Sequence, residues 1–285
     1  MIDSRAIIHS SAQLGHDVEV GPFTVIGSDV EIGAGTRVHS HAVIKGPTRI
    51  GENNTIFQFA SVGEDCQDKK YAGEPTRLEI GDNNIIREGC TIHRGTVQDQ
   101  GLTTIGSNNL LMAYVHIAHD CRVGDGCVFA NNTAVAGHVV VGNGVVLGGL
   151  TTVHQFCQIG AYSMSAAHSA IFKDVPAFVM VSGNPAEAHG MNFEGMRRRG
   201  WSGDVIRNLR QAYKVIYRQG LKMSQALDVL QSMAVETSQI QLLIESLQSS
   251  TRGITRPRAR NRTSDRIWRE QIVVNNRLVQ GEDCT

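Results

Sequence analysis

An aliphatic residue recurs at every sixth position along the start of this chain: Ile2, Ile8, Leu14, Val20, Ile26, Ile32, Val38, Ile44, Ile50, Ile56 and Val62. A polar stretch over 65–77 interrupts the series, which resumes in phase at Ile80, Ile86 and Ile92. A second stretch, 97–103, shifts the phase by one residue, and the series then runs from Ile105 to Ile159. A hexad period is the signature of a parallel β-helix. Each short strand turns one aliphatic side chain inward, and a turn follows before the next strand. Gly stands directly after many of these aliphatics (Gly15, Gly21, Gly27, Gly33, Gly51, Gly81, Gly106, Gly124, Gly142, Gly160), where it is expected to accommodate the sharp bend. Small residues four places on include Cys121, Cys127 and Cys157, which reads as core packing and assigns them no chemistry.

Three hexads make a triangular coil of 18 residues, stacked at the roughly 4.8 Å spacing of paired strands. Residues 1–190 are expected to form the resulting prism. The two interruptions become loops thrown out from it, and such loops tend to carry function. Beyond 190 the period becomes helical: Val205, Leu209, Ala212, Tyr213 and Ile216 form one stripe, Leu227, Leu230 and Met233 another, and a third apolar helix covers 238–248. A helical domain over 191–250 follows. The segment 251–285, with eight arginines against four acids, reads as a basic, flexible tail, an RNA or anionic-surface contact being the sharper alternative.

The whole-chain charge balances at 27 against 27, which argues against a globally basic nucleic-acid binder. No apolar run approaches the roughly 20 residues of a membrane span, and the first residues lack the pattern of a signal peptide. No CxxC pair occurs among the six cysteines, so neither a zinc ribbon nor a disulfide framework is indicated. A soluble, cytoplasmic protein without stable membrane insertion is the expectation.

Positions 18 apart share one column of such a prism. His119, Gly137 and Gln155 therefore stack, Asp120 and His138 share the adjacent column, and His116 and His154 lie close by. A hydroxyl is a poor nucleophile until its proton is being removed, and a histidine with its pKa near neutrality suits that task. Asp120 beside His119 is placed to orient the imidazole and stabilise its charged form.

Five motifs in order narrow the reading: Gln67–Arg77 (QDKKYAGEPTR), Thr91–Thr96 (TIHRGT), His116–Cys121 (HIAHDC), His154–Cys157 (HQFC) and Asn192–Gly200 (NFEGMRRRG). Together they closely resemble the UDP-N-acetylglucosamine O-acyltransferases that begin lipid A biosynthesis, from Met1 to about Gly253. The resemblance implies a left-handed β-helix, a homotrimer with sites between neighbouring prisms, and transfer of a (3R)-3-hydroxyacyl group from acyl carrier protein to the glucosamine 3-hydroxyl of UDP-N-acetylglucosamine. It implies no metal and no cofactor beyond the carrier's phosphopantetheine. By the same resemblance His119 is the general base and the Gly137 N–H the oxyanion donor. Asp68, Lys70, His116, His138, His154, Gln155, Asn192, Glu194 and Arg198 fall at substrate positions, and Ala167 at the acyl-chain ruler. Arg207, Arg210 and Arg218 suit either a carrier-protein contact or a plain surface.

Three other readings stand beside it. The acceptor can equally be the 3-amino analogue of the nucleotide sugar. A hexapeptide-fold carbonic anhydrase would use His116, His119 and His138 as zinc ligands, a reading opposed by the helical domain and the 67–77 motif. The N-acyltransferase of the same pathway usually carries a further domain before its repeats, whereas here the hexads begin at Ile2. Most members end near the Gly253 equivalent, leaving about 30 residues without a role.

Overall fold

The computed structural model describes residues 1–258. Its strands, mostly two residues long, assemble into three sheets of nine, eight and ten strands that form the faces of a left-handed parallel β-helix. The first face runs from Ile7–Ile8 to Ala170–Ile171, the second from Gln13–Leu14 to Gln158–Ile159, and the third from Glu19–Val20 to Val179–Ser182. Register follows the hexads: Ile8 pairs with Ile26, Ile26 with Ile44 and Ile117 with Val135. Val62 pairs with Ile92 and Ile92 with Ile117, so both interruptions are extra chain between neighbouring coils, with the inward column kept.

The inward aliphatics are buried almost without exception, Ile44, Ile56, Ile92, Leu111, Ile117 and Phe129 completely. The residues four places on join them: Cys90, Cys121, Cys127, Val139 and Val145 have no exposed surface. Burial pushes the Cys121 thiol up to about 12 and those of Cys90, Cys127 and Cys157 to about 11, so these thiols are packing groups, as expected.

The glycines need a correction. None of the ten has a positive φ. Gly21 and Gly27 lie on the other two edges, and the remaining eight, Gly15, Gly33, Gly51, Gly81, Gly106, Gly124, Gly142 and Gly160, on the edge between the second and third faces. They are required because coils approach closely there: a Cβ on Gly33 would lie 2.5 Å from the Gly51 carbonyl carbon, and one on Gly160 2.3 Å from the Ala177 nitrogen. The left-handed turn falls two residues later, often on a side-chain-bearing residue such as Asp17, Asn53, Asn83, Asn108 or Tyr162. Asn and Asp tolerate that conformation best among non-glycine residues.

Glu187–Met191 folds back antiparallel on Val179–Ser182 and closes the prism. Four helices follow: α1 (Phe193–Arg198), α2 (Gly203–Tyr217), α3 (Met223–Ala234) and α4 (Ile240–Gln248). Trp201 anchors them, edge-on to Tyr162 and Phe178 at 5.3 and 5.5 Å. The start of the expected tail, 251–258, is part of the fold instead. Ile254 forms a parallel bridge with buried Asp174, whose carboxylate accepts from Ser250 Oγ, Arg252 N–H and Gln158 N–H. Arg256 accepts a bond from the Ala188 N–H. Burying Asp174 demands those donors, and the chain after α4 supplies two of them. The rest of that expectation, 259–285, lies outside the described residues.

Candidate active site

The edge between the first and second faces collects the expected chemistry. His119 and Asp120 sit on it between the strands His116–Ile117 and Arg122–Val123, Gly137 and His138 on the next coil, and His154, Gln155 and Phe156 on the one after. Both interruptions leave from the same edge: Ser61–Glu64 and Thr91–His93 belong to the first face, Arg77–Ile80 and Leu102–Ile105 to the second. Buried Arg94 ties the first loop down by donating to Gly63 O, Asp65 and Tyr71 Oη. Within that loop the Lys70 N–H donates to Asp68 Oδ1 at 2.9 Å.

Asp120, His138 and Phe156 occupy the left-handed corner position of three successive coils, with φ of 57°, 61° and 66°. Phe156 is exposed at that corner, whereas Asp120 is 2% exposed and its carboxylate is fully engaged, held by Thr96 and His119. Oδ1 accepts from the Thr96 N–H at 2.8 Å, and Oδ2 from Thr96 Oγ1 at 2.6 Å and from His119 Nδ1 at 2.8 Å. Burial alone would raise the Asp120 carboxyl; the bonds from His119 and Thr96, with His138 nearby, outweigh it and hold the group below its ordinary value. An ionised carboxylate only accepts, so His119 Nδ1 carries its proton and Nε2 is the acceptor.

Gly137 lies buried beneath the His119 ring. A Cβ there would come within 2.5 Å of His119 Cε1 and 2.6 Å of Nε2. Only glycine lets the imidazole lie over the next coil. Among the described residues the Gly137 N–H has no hydrogen-bond acceptor, leaving a backbone donor free on the residue beneath the ring.

His138 stacks flat on Phe156, 4.5 Å apart at 10°, and meets His119 edge-on at 4.9 Å. His119, Asp120 and His138 thus offer one donor atom each within 4.8 Å of one another, although the Asp120 oxygens already serve Thr96 and His119. His116, the third ligand of the zinc reading, points elsewhere: its Nδ1 bonds Thr91 Oγ1 at 2.7 Å and its ring abuts His93. His154 Nδ1 bonds the Gln155 carbonyl at 3.0 Å. Thr96, Asp99, His93 and Phe156 were not among the expected site residues. Thr96 and His93 lie in the TIHRGT motif, whereas nothing in the hexad arithmetic signals Asp99.

The remaining expected residues do not join this edge within one chain. Asn192 caps α1 through Gly195 N–H and donates to Tyr162 O, while Glu194 pairs with Arg197 and Arg198. Arg199 donates to Gly144 O and lies over the Tyr162 ring, which fixes α1 on the glycine edge. Ala167, exposed, is on the third edge, between Met164–Ser165 and Ala170–Ile171.

Burial, with the neighbouring His93 and His119, pushes the His116 imidazole down to about 4, and His93 moves the same way. The unfolded chain takes up a proton at His116 near 6.5 and the folded one near 4. Their contribution to stability is therefore present above 6.5 and lost as pH falls toward 4. His116→Asn should lower Tm at neutral pH yet flatten its decline between about pH 7 and about pH 5. Parallel Tm–pH curves for the two proteins would remove His116 from the acid response.

Known proteins carry the same architecture. Residues 174–255 match the second domain of the UDP N-acetylglucosamine O-acyltransferases, and residues 11–46 and 102–137 match the bacterial transferase hexapeptide repeat. The acyl-[acyl-carrier-protein]–UDP-N-acetylglucosamine O-acyltransferase of Stutzerimonas stutzeri is 60% identical over 256 residues, covering 90% of this chain and 99% of the relative. That of Pseudomonas paraeruginosa is 62% identical with the same coverage. Among solved structures, the UDP-N-acetylglucosamine O-acyltransferase of Moraxella catarrhalis superposes with a TM-score of 0.89 at 55% identity, over 90% of this chain and 99% of its own. LpxA from Acinetobacter baumannii does so at 0.88 and 59%, with the same coverage. With the repeat, the helical domain and nearly the full length of these relatives matched at such identity, this chain belongs to the UDP-N-acetylglucosamine O-acyltransferase family.

Proposed function

We propose that the enzyme transfers a (3R)-3-hydroxyacyl group from acyl carrier protein to the glucosamine 3-hydroxyl of UDP-N-acetylglucosamine, the first step of lipid A biosynthesis, in the cytoplasm and without a metal. The observation that carries the mechanism is the Thr96–Asp120–His119 chain ending in an accepting Nε2 above Gly137, whose N–H is free. Nε2 takes the proton of the sugar hydroxyl as its oxygen attacks the thioester carbonyl. Asp120 stabilises the imidazolium, and the Gly137 N–H donates to the oxyanion. The tetrahedral intermediate collapses, the carbon–sulfur bond breaks, and the leaving thiolate recovers the proton from His119. No described helix is long and apolar enough to cross a membrane. The direct test supplies purified enzyme with UDP-N-acetylglucosamine or its 3-amino analogue and a panel of 3-hydroxyacyl carrier proteins, with products read by mass spectrometry. Activity that is lost on chelation and restored by zinc would favour the metal reading.

The active unit is a homotrimer whose sites join edges of neighbouring chains. The expected substrate residues lie on two edges of one prism and the ruler Ala167 on the third, an arrangement that neighbouring chains would bring together. A row of exposed apolar side chains on the third edge, Phe23, Phe59, Tyr114 and Leu150, also suits burial against another copy. Co-expressing His119→Ala with Arg198→Ala should therefore restore activity that neither variant has alone, since mixed trimers contain interfaces with both edges intact. Activity no higher than that of the single variants would contradict shared sites.

Ala167 is read as the stop for the acyl chain. One misfit methylene discriminates only about 10–200-fold, so the preference should be graded. Ala167→Met should move the optimum of kcat/KM to a shorter donor and Ala167→Gly to a slightly longer one. An unchanged optimum in both would place the stop elsewhere.

A further inference from the structure

We propose that Asp99 is a positioning residue for His138, holding it in a second carboxylate–imidazole pair that leaves Asp120 to His119 alone. Asp99 belongs to the loop that interrupts the hexads. The loop closes on Thr96, whose carbonyl accepts from the N–H groups of Asp99 and Gly101 at 3.2 and 2.9 Å. Thr96 is itself bound to Asp120, so the turn is fixed over the histidine edge. From there Asp99 Oδ2 reaches across the His119 coil and accepts from His138 Nδ1 at 3.0 Å.

The competing acceptor is close. His138 Nδ1 is 3.8 Å from Asp120 Oδ2, the oxygen that orients His119. Stacking on Phe156 confines the His138 ring to its plane, so its Nδ1–H has these two carboxylates in reach. With Asp99 present each imidazole has its own carboxylate, and His138 keeps Nε2 as an acceptor, the state suited to a substrate hydroxyl. Without that charge, His138 turns to Asp120 and weakens the His119 pair.

This inference rests on the acyl-transfer reading, and its test has one arm that does not. Asp99→Asn keeps the size and one acceptor oxygen of the side chain, but replaces a charge-assisted hydrogen bond with a weaker neutral one. Its kcat should fall about tenfold, with Asp99→Glu recovering part of the loss. In a His138→Ala background the same substitution should cost less than about twofold, because the residue it acts through is gone. A merely structural role in the loop would leave the tenfold cost in both backgrounds, and that result, or an undiminished kcat in Asp99→Asn, overturns the proposal. Nitrogen NMR of histidine-labelled enzyme reads the tautomer without turnover. His138 should carry its proton on Nδ1 in both proteins, while the Nδ1–H signal of His119, which no longer has Asp120 as its own carboxylate, should shift toward that of a weaker hydrogen bond in Asp99→Asn; an unchanged His119 Nδ1–H signal refutes the inference whatever the reaction is.

Discussion

His119→Ala is expected to lower kcat by at least about 10²-fold while leaving fold and assembly intact, because a positioned base contributes about 10²–10⁴-fold. The geometry allows a clean substitution. His119 is an edge residue with its side chain 15% exposed, so its removal opens no cavity in the aliphatic core. Asp120 keeps both Thr96 bonds when the imidazole is gone, so its buried charge stays solvated by donors. Circular dichroism and sedimentation should match the wild type while turnover collapses. A His119→Ala enzyme with near wild-type kcat would take this residue out of the mechanism.

Gly137→Ala should be nearly as damaging, for a purely steric reason. A methyl group at that position falls within 2.6 Å of two atoms of the His119 ring, so the ring must leave its place. His119 is a partly exposed edge residue, so the ring is displaced along the edge and not into the aliphatic core, and stability should change little. The His119–Asp120 bond and the placement of Nε2 over Gly137 would both be lost. Misplacement by about 1 Å costs on the order of 10²-fold in positioned catalysis. Gly137→Ala combined with His119→Ala should be no worse than the worse single variant, since both remove the same base. Additive losses, or a Gly137→Ala enzyme with normal kcat and an undisplaced ring, would contradict this account.

The sequence made much of the site legible because a repeat of 18 residues converts spacing into position. His119, Gly137 and Gln155 fall in one column, Asp120 and His138 in the next, as the arithmetic requires, and the corner φ values of Asp120, His138 and Phe156 agree. The arithmetic fails wherever chain is inserted. Thr96 and Asp99 lie in a loop whose path no period describes, so their bonds to Asp120 and His138 could not be counted out. Spacing finds the glycines that follow the inward aliphatics but not their cause, because it cannot separate a residue that turns the chain from one that lets coils touch.

What the sequence determined by itself is therefore the β-helix: the inward column, the small-residue core, and the place where helices take over from repeats. These depend on interactions between a residue and its own repeat on the next coil, a neighbour at a fixed offset along the chain. The tertiary structure alone decided what has no fixed offset. It seated α1 on the glycine edge through Arg199, Tyr162 and Trp201, carried Asn192 and Arg198 away from His119, and bound Ile254 back to Asp174. Helix docking and loop closure are settled by shape, by buried hydrogen bonds and by aromatic contacts between segments far apart in sequence, and no periodicity encodes which of those contacts form.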